Sequence, residues 1–279
     1  MKIGYTLWTW IVEADIFKVP DTPEFRILFE QGCRDISNLG FQTVENFGFM
    51  VRHYENDIAL FQETLEKNHL EFAALYHYIS DDFSSDCEKA SKYASFLEKT
   101  GGKVLVTQGN MWREPPIDRP INIEVLKKYV KHCEEMGRIT NDHGIRLCMH
   151  PHGMTPVFHQ EEIDYFLDQT NPTLVSLCMD PAHIQLAGMN AAQAAERFAA
   201  RIGYVHLKDC DPDPEEHPEW PLKRFRALGE GVVDFKGVKK ALLQHGFDGT
   251  LAVELDYPRI NNYESASVSR TYIRNVLGV

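Results

Sequence analysis

The sequence predicts an α/β fold, a single (β/α)8 barrel over residues 1–279, and three observations lead to it. Eight short apolar runs recur along the chain, and amphipathic stretches with apolar residues three and four positions apart lie between them. Such alternation is typical of parallel strands joined by helical crossovers. The length of 279 residues fits one barrel, a fold that takes roughly 250 residues.

The eight apolar runs are the predicted strands. Each has the length of a strand that is buried on both faces of a parallel sheet. In chain order they cover residues 2–7, 43–46, 70–75, 103–107, 145–149, 174–179, 203–207 and 251–255. Eight parallel strands are the number that closes a barrel of this class.

The amphipathic stretches between the strands are the predicted helices. They cover residues 58–67, 88–99, 123–140, 161–169, 191–200 and 235–245. Asn122 and Asn190 precede two of them as N-cap candidates. Two long loops, residues 108–120 and 211–226, leave the carboxyl ends of the fourth and seventh strands, and these strand ends form the catalytic face of a barrel.

Composition and charge narrow the range of partners. The net charge of −12, without any run of Lys or Arg longer than a pair, argues against nucleic acid, because phosphate binding needs a clustered basic surface. No apolar stretch approaches the roughly 18 residues that span a bilayer, so we expect no membrane contact. Six cysteines without a CxxC pair and an N-terminus without secretory features predict a cytoplasmic protein. A homo-oligomer is compatible with the sequence.

Polar residues cluster where the fifth to eighth strands end, at His150 and His152, Asp180 and His183, His206 and Lys208, and Glu254. A barrel brings such residues to one mouth, and carboxylates with imidazoles are ligands for a divalent ion. A lone histidine or acid at a strand end is more often structural, and Lys208 with Asp209 is also compatible with a solvated pair. Because four consecutive strands end in potential ligands, we predict one divalent metal ion. We expect Mn2+, with Mg2+, Co2+ and Zn2+ as alternatives.

Five stretches of the chain resemble the xylose isomerase-like barrel superfamily, which includes sugar isomerases, epimerases and dehydratases. The nearest likeness is to its inosose dehydratase branch. The stretches are HPHGMTPVFHQEEID (150–164), SLCMDPAHIQLAG (176–188), YVHLKDC (204–210), LGEGVVDF (228–235) and LAVELDYPR (251–259). The likeness runs through the whole chain and is specific from residue 145 onward.

The resemblance implies that Asp180, His206 and Glu254 are metal ligands. The fourth ligand is the point of departure. Isomerases and epimerases of the superfamily place a glutamate near the end of strand five, where Cys148 aligns, and the dehydratase pattern places one where Phe158 stands. We take His150 as the fourth ligand, with His152, His159 or water as alternatives.

The resemblance also implies that His152 and Lys208 face the substrate and that Glu45, at the end of strand two, lies across the pocket. A divalent ion bound to a ketone and its neighbouring hydroxyl acidifies the carbon between them. Two-face epimerisation in this superfamily uses glutamates from strands five and eight, and here only Glu254 is evident, which favours elimination. We assign acid–base work to His152, and polarisation of a substrate oxygen to Lys208.

The predicted substrate is a small polyhydroxylated carbonyl compound, a keto-polyol or keto-sugar. Trp8 and Trp112 would offer it apolar faces, and His183 would bind it. Besides a dehydratase, the sequence is compatible with a sugar isomerase or epimerase, and with a lyase that cleaves oxidised (3-keto) glycosides, including C-glycosides. A metal-binding barrel without catalysis is a further hypothesis, because Phe158 replaces an expected carboxylate.

Overall fold

The computed structural model describes residues 1–12, 18–111, 122–213 and 220–279. Eight parallel strands close into a barrel in the order β1-β2-β3-β4-β5-β6-β7-β10, which confirms the predicted fold. The strands are β1 (Lys2–Thr6), β2 (Thr43–Phe47), β3 (Glu71–Tyr78), β4 (Val104–Gln108), β5 (Arg146–Met149), β6 (Val175–Met179), β7 (Ile202–Leu207) and β10 (Thr250–Val253). All eight predicted strands therefore exist, and their bounds differ from the prediction by one to three residues.

Helices lie between the strands and cover the barrel. They are α1 (Trp8–Ile11), α2 (Thr22–Asn38), α3 (Val51–Tyr54), α4 (Ile58–Lys67), α5 (Phe83–Thr100), α6 (Ile123–Asn141), α7 (Gln160–Gln169), α8 (Pro181–Leu186), α9 (Ala191–Phe198), α10 (Phe235–Gln244) and α11 (Asn262–Tyr272). Single turns of other helix types cover Gly48–Met50, Ala199–Arg201, Pro221–Arg224 and Ile273–Leu277. The side chains of Asn122 and Asn190 cap α6 and α9 by accepting from the amides of Val125 and Gln193.

Two long helices, α2 and α11, were not predicted. The buried face of α11 consists of Ser265, Ala266 and Ser269, so hydrophobic periodicity cannot reveal it. The buried face of α2 is made of Phe25, Phe29, Gly32, Cys33 and Ile36 at regular helical spacing, so this helix was missed although its pattern is present in the sequence. Both helices cover the barrel at its first and last strands, where the chain begins and ends.

A two-stranded ribbon joins β8 (Asp209–Cys210), just before the predicted loop 211–226, to β9 (Phe225–Arg226) at the end of that loop. The Asp209 carboxylate lies at its base and accepts hydrogen bonds from the amides of Gly229 and Val233, each at 3.0 Å. A Cβ atom at residue 231 would lie 2.4 Å from Oδ1 of Asp209, so this position requires Gly231. Asp209 is therefore a buried anchor, and the hypothesis of a solvated Lys208–Asp209 pair is wrong.

The six cysteines are free thiols, and five of them are buried. In the four described ranges, no helix combines the length and apolarity needed to cross a bilayer. The buried side chains form one hydrophobic cluster that joins the barrel interior to the helical layer, and the polar side chains from the strand ends are enclosed at its mouth.

Candidate metal centre and active site

Four strand ends, those of β5, β6, β7 and β10, bring four side chains together inside the mouth. They are His150, Asp180, His206 and Glu254. One potential ligand atom from each lies within 4.8 Å of the others, and all four residues are buried. The structure thus assembles the four predicted metal ligands, which are as much as 104 positions apart in the sequence, around one point.

The donor atoms at this point lack ordinary partners. Among the described residues, neither ring nitrogen of His150, nor Oδ2 of Asp180, nor Nδ1 of His206 makes a hydrogen bond of normal geometry. Their nearest neighbours are ion-pair contacts, 3.5 Å from His150 Nε2 to Asp180 Oδ2, 3.3 Å from Lys208 Nζ to the same Oδ2, and 3.1 Å from His206 Nδ1 to Glu254 Oε2. Buried polar atoms without partners are costly. Two nitrogens and two carboxylates that converge in this way fit a divalent metal ion.

Glu45 orients one of these donors. Both of its carboxylate oxygens lie 3.0 Å from Nε2 of His206, and the side chains of both residues are fully buried. When Nε2 donates its hydrogen to Glu45, the lone pair of Nδ1 points toward Glu254 and the shared point. Glu45 thus lies across the barrel as expected, but the group that it contacts is His206.

Lys208 is buried and lies against three carboxylates. Its Nζ is 2.6 Å from Oε2 of Glu254 and 3.3 Å from one oxygen each of Asp180 and Asp256. On its other side, Nζ lies 4.8 Å from the centre of the Phe225 ring. The three ammonium hydrogens therefore have three acidic neighbours, and the lysine offsets part of the negative charge of the predicted ligands.

Asp256 had no predicted role, although it follows Glu254 at the usual two-residue spacing of one strand face. Burial raises the pKa of Asp256 to about 6, Lys208 opposes this shift, and Glu254 adds to it. Its carboxylate is 16% exposed, whereas that of Glu254 is 5% exposed. Asp256 is therefore the carboxylate on Lys208 that is most open to a ligand.

A single peptide unit, Gly153, fixes the tautomers of two histidines. Its carbonyl oxygen lies 2.8 Å from Nδ1 of His152, so this nitrogen must carry the hydrogen. Its N–H donates to Nδ1 of His183 at 2.9 Å, so that nitrogen must be the acceptor. His152 consequently has a bare Nε2, whereas Nε2 of His183 carries a hydrogen that finds no acceptor among the described residues.

The two imidazoles lie side by side, with ring centres 4.0 Å apart. Burial, together with the neighbouring His150 and Lys208, lowers the pKa of His152 to about 3. Burial likewise holds the pKa of His183 well below its usual range. Both rings are therefore neutral near pH 7, one as a proton acceptor and the other as a hydrogen-bond donor.

Aromatic side chains close the opposite wall. Trp8 packs edge-on against Phe47 with ring centres 5.6 Å apart, is 7% exposed, and keeps a buried Nε1–H without an acceptor among the described residues. The Tyr76 ring lies parallel to that of His206 at 5.8 Å, and its hydroxyl is hydrogen-bonded to Gln108. Trp112, the other aromatic residue predicted to contact substrate, lies outside the described residues.

Comparison with known proteins agrees with this architecture. The family model of xylose isomerase-like TIM barrels matches residues 33–275. The chain belongs to this family.

Three similar proteins illustrate the range of the xylose isomerase-like family. An inosose dehydratase of Clostridium beijerinckii is 28% identical over 273 residues, which cover 90% of each chain. The crystal structure of the IolI protein with a bound zinc atom superposes with a TM-score of 0.76 at 16% identity, over 100% of this chain and 98% of IolI. The crystal structure of the probable 3-DHS dehydratase AsbF of Bacillus anthracis superposes with a TM-score of 0.77 at 15% identity, over 98% of this chain and 99% of AsbF.

After strand five, Phe158 stands at the position where the resemblance leads us to expect a carboxylate. Phe158 is fully buried, and its amide donates to Oε2 of Glu162 at 2.9 Å. The same oxygen accepts from the amide of His159, the N-cap residue of α7. Within the described residues, the group of four potential ligands includes His150 and neither His152 nor His159.

Proposed function

We propose that this chain is a divalent-metal-dependent dehydratase that removes water from a small keto-polyol of the inosose type. The observation that carries the proposal is the Gly153 peptide, which prepares His152 as an acceptor and His183 as a donor beside the four-residue ligand group. The likeness to inosose dehydratases supports the substrate class. An α-hydrogen, a ketone and a β-hydroxyl are the groups that such a site can use.

Each residue has a role in this proposal. His150, Asp180, His206 and Glu254 would hold the ion, which when bound would polarise the ketone and stabilise negative charge on its oxygen. Two acidic and two imidazole ligands form a mixed set that suits Mn2+, the ion that we propose. Lys208 keeps Asp180 and Glu254 in place, and it reaches a substrate oxygen by exchanging one of its carboxylate contacts.

His152 handles the proton. Its bare Nε2 removes the hydrogen from the carbon next to the carbonyl, and the C–H electrons form the carbon–carbon double bond of the enolate. The β C–O bond then breaks as the leaving hydroxyl takes the same proton from His152, so the products are water and the dehydrated ketone. The Nε2–H of His183 donates a hydrogen bond to the departing oxygen, which stabilises its growing negative charge.

Elimination is favoured over epimerisation by the one-sided arrangement of these groups. Epimerisation needs a second base on the opposite face of the substrate. The two neutral imidazoles lie 4.0 Å apart on the same side, and strand five offers the buried thiol Cys148 where the epimerase pattern has a glutamate. Free thiols also agree with a reducing compartment, and we place the enzyme in the cytoplasm.

The decisive experiment follows keto-inositols by NMR in deuterated water with the Mn2+-loaded protein. We expect a dehydrated product that has lost the α-hydrogen and the β-hydroxyl of the keto-inositol. An epimer, or an aglycone released from a 3-keto-glycoside, would replace this proposal by another activity of the same site. Full metal occupancy with every keto-sugar unchanged would favour the non-catalytic barrel.

A further inference from the structure

Cys178 lies directly below the predicted metal centre. It precedes Asp180 by two residues on β6, so both side chains face the barrel interior, and the thiol lies one layer deeper. Its Sγ lies within 4.8 Å of a ring nitrogen of His150 and of a ring nitrogen of His206. All three side chains are fully buried. The proposed function makes no use of this thiol.

His150 connects this deeper group to the upper one. Neither of its ring nitrogens is committed to a hydrogen bond of normal geometry within the described part of the chain, although both are buried. The ring can therefore give a nitrogen either to the carboxylates above or to the thiol below. Two imidazoles and one thiolate, with a fourth position open, form a typical ligand set for zinc.

We propose that the barrel offers two overlapping cation positions. The upper position is made by Asp180, Glu254 and the two histidines His150 and His206, and the lower position by the same histidines with Cys178. Mn2+ and Mg2+ prefer the oxygen-rich upper position, whereas Zn2+ and Cd2+ take the lower one, where the Cys178 thiol releases its proton to solvent and binds as thiolate. This inference rests on the metal centre of the proposed function.

The shared histidines make the two positions alternatives. An ion in the lower position draws His150 and His206 away from Asp180 and Glu254, and it lies farther from the open mouth. The buried environment supports a positive ion at this depth, because the Glu45 carboxylate lies 3.0 Å from Nε2 of His206 and adds negative charge to that of the thiolate. The kind of metal thus determines the depth at which it is bound.

X-ray absorption at the zinc edge tests this on the unaltered protein loaded with one equivalent of Zn2+. We expect one sulfur ligand at about 2.3 Å together with nitrogen and oxygen ligands at about 2.0–2.2 Å. The Mn2+-loaded protein should give nitrogen and oxygen ligands alone. A zinc spectrum without sulfur, or a manganese spectrum with sulfur, overturns the proposal of two positions.

Two cysteine variants identify the sulfur. Cys178→Ala should remove the zinc–sulfur signal, along with the near-ultraviolet thiolate absorption of the Cd2+ form. Cys148→Ala is the matched control, because Cys148 is equally buried on the neighbouring strand and belongs to neither group. Sulfur that persists in Cys178→Ala and disappears in Cys148→Ala contradicts the assignment.

The spectra of the unaltered protein decide the question even if the Cys178 variant does not fold. They also separate this inference from the proposed function, which is judged by dehydration of a keto-inositol with Mn2+. Sulfur ligation of zinc without dehydration leaves the lower position intact, and dehydration without sulfur ligation leaves the enzyme intact.

Discussion

The two halves of the barrel place different kinds of side chain inside the mouth. The ligand half, β5, β6, β7 and β10, places imidazoles, carboxylates and Lys208 inside the mouth. The aromatic half, β1 to β4, places rings there, with Phe47 packed against Tyr76 at 4.9 Å and Tyr78 at 5.4 Å between ring centres. Among the described residues, the unpartnered buried atoms that converge on one point are those of His150, Asp180 and His206, so the ligand half is the part of the mouth that can bind a cation, and the rings of the aromatic half form the opposite wall.

Glu45 is the exception that joins the halves. It comes from β2 in the aromatic half, and its carboxylate reaches His206 in the ligand half. The comparison therefore predicts a graded response to mutation. Changes in the ligand half should remove metal or turnover, Glu45 should give an intermediate effect, and changes to the rings of the aromatic half should leave metal affinity unchanged and act on substrate binding or stability.

The largest expected effect is that of Asp180→Asn on metal content. Asparagine keeps the N-cap that Oδ1 of Asp180 provides to the amides of Ala182 and His183, but it removes the charge. Because loss of an outer partner of a ligand already costs about 10- to 100-fold in affinity, we expect Mn2+ to bind more than about 100-fold more weakly. Equilibrium dialysis measures this. Asp164→Asn, at an exposed ion pair with Arg197, is the control and should bind the metal normally.

His152→Gln should separate turnover from metal binding. We expect the rate of dehydration to fall by about 10²- to 10⁴-fold, the usual contribution of a positioned base, while metal content stays at one ion per chain. Steady-state kinetics and elemental analysis of the same preparation measure both. Loss of metal together with an unchanged rate per holoenzyme would instead make His152 a ligand. His245→Gln, at an exposed ion pair with Glu196, is the matched histidine control.

Glu45→Gln tests the link between the halves. An amide can accept the Nε2–H of His206, but it adds no charge behind the ring, so we expect Mn2+ affinity to fall by about 10- to 100-fold. The kcat at saturating metal should change less than the affinity. A reduced kcat with unaltered affinity would show that Glu45 acts on the substrate and not through His206. Glu71→Gln, at the exposed start of β3, should leave both unchanged.

Gly153→Ala should disturb the two prepared imidazoles. A Cβ atom there would lie 2.9 Å from Leu222 Cδ2, 3.3 Å from Leu186 Cδ2 and 3.5 Å from Nδ1 of His183, so either the leucine ends or the peptide must shift next to the His183 ring. Since misplacement by about 1 Å can cost about 100-fold, we expect kcat to fall by about 10- to 100-fold while Mn2+ affinity is retained. An unaffected kcat would remove the Gly153 peptide from the proposed mechanism.

The smallest effect belongs to the aromatic half and concerns pH. Burial, together with Arg52 and Arg26, lowers the pKa of His53 to about 4, and the His53 ring stacks on that of Phe25 with ring centres 3.9 Å apart. The unfolded chain binds this proton near pH 6.5, so the folded state loses stability as pH falls from about 6.5 to about 4. Denaturant unfolding should give a gentler pH slope for His53→Gln than for the unaltered chain. Equal slopes would contradict this assignment.

The degree to which the sequence predicts the molecule also differs between the halves. Local hydrophobic runs were sufficient for all eight strands, and α4 has the predicted bounds. The polar residues at the strand ends predicted that His150, Asp180, His206 and Glu254 lie close together, because a barrel makes the ends of its strands neighbours. Helix α11 was missed since its buried face is made of serines and alanine, which carry no hydrophobic signal.

The missing parts of the site depend on contacts through space. Lys208 is buried because the carboxylates of Asp180 and Asp256 each lie 3.3 Å from its Nζ. The residues next to Lys208 in the sequence do not reveal these contacts. The tautomers of His152 and His183 follow from one peptide that both rings touch. Cys178 becomes a potential metal ligand only because His150 and His206 lie beside it in space. In the sequence it is one apolar residue of a strand.

The ribbon formed by β8 and β9 has a consequence for remodelling the enzyme. Because Asp209 pairs with Arg226 and Cys210 with Phe225, the ribbon closes the neck of the segment between them. Insertions or deletions beyond that neck can therefore change the segment between Cys210 and Phe225 without moving Lys208, the residue just before Asp209. This segment can thus be altered independently of the metal centre. Grafts between Cys210 and Phe225 should retain both the melting temperature and the metal content of the parent.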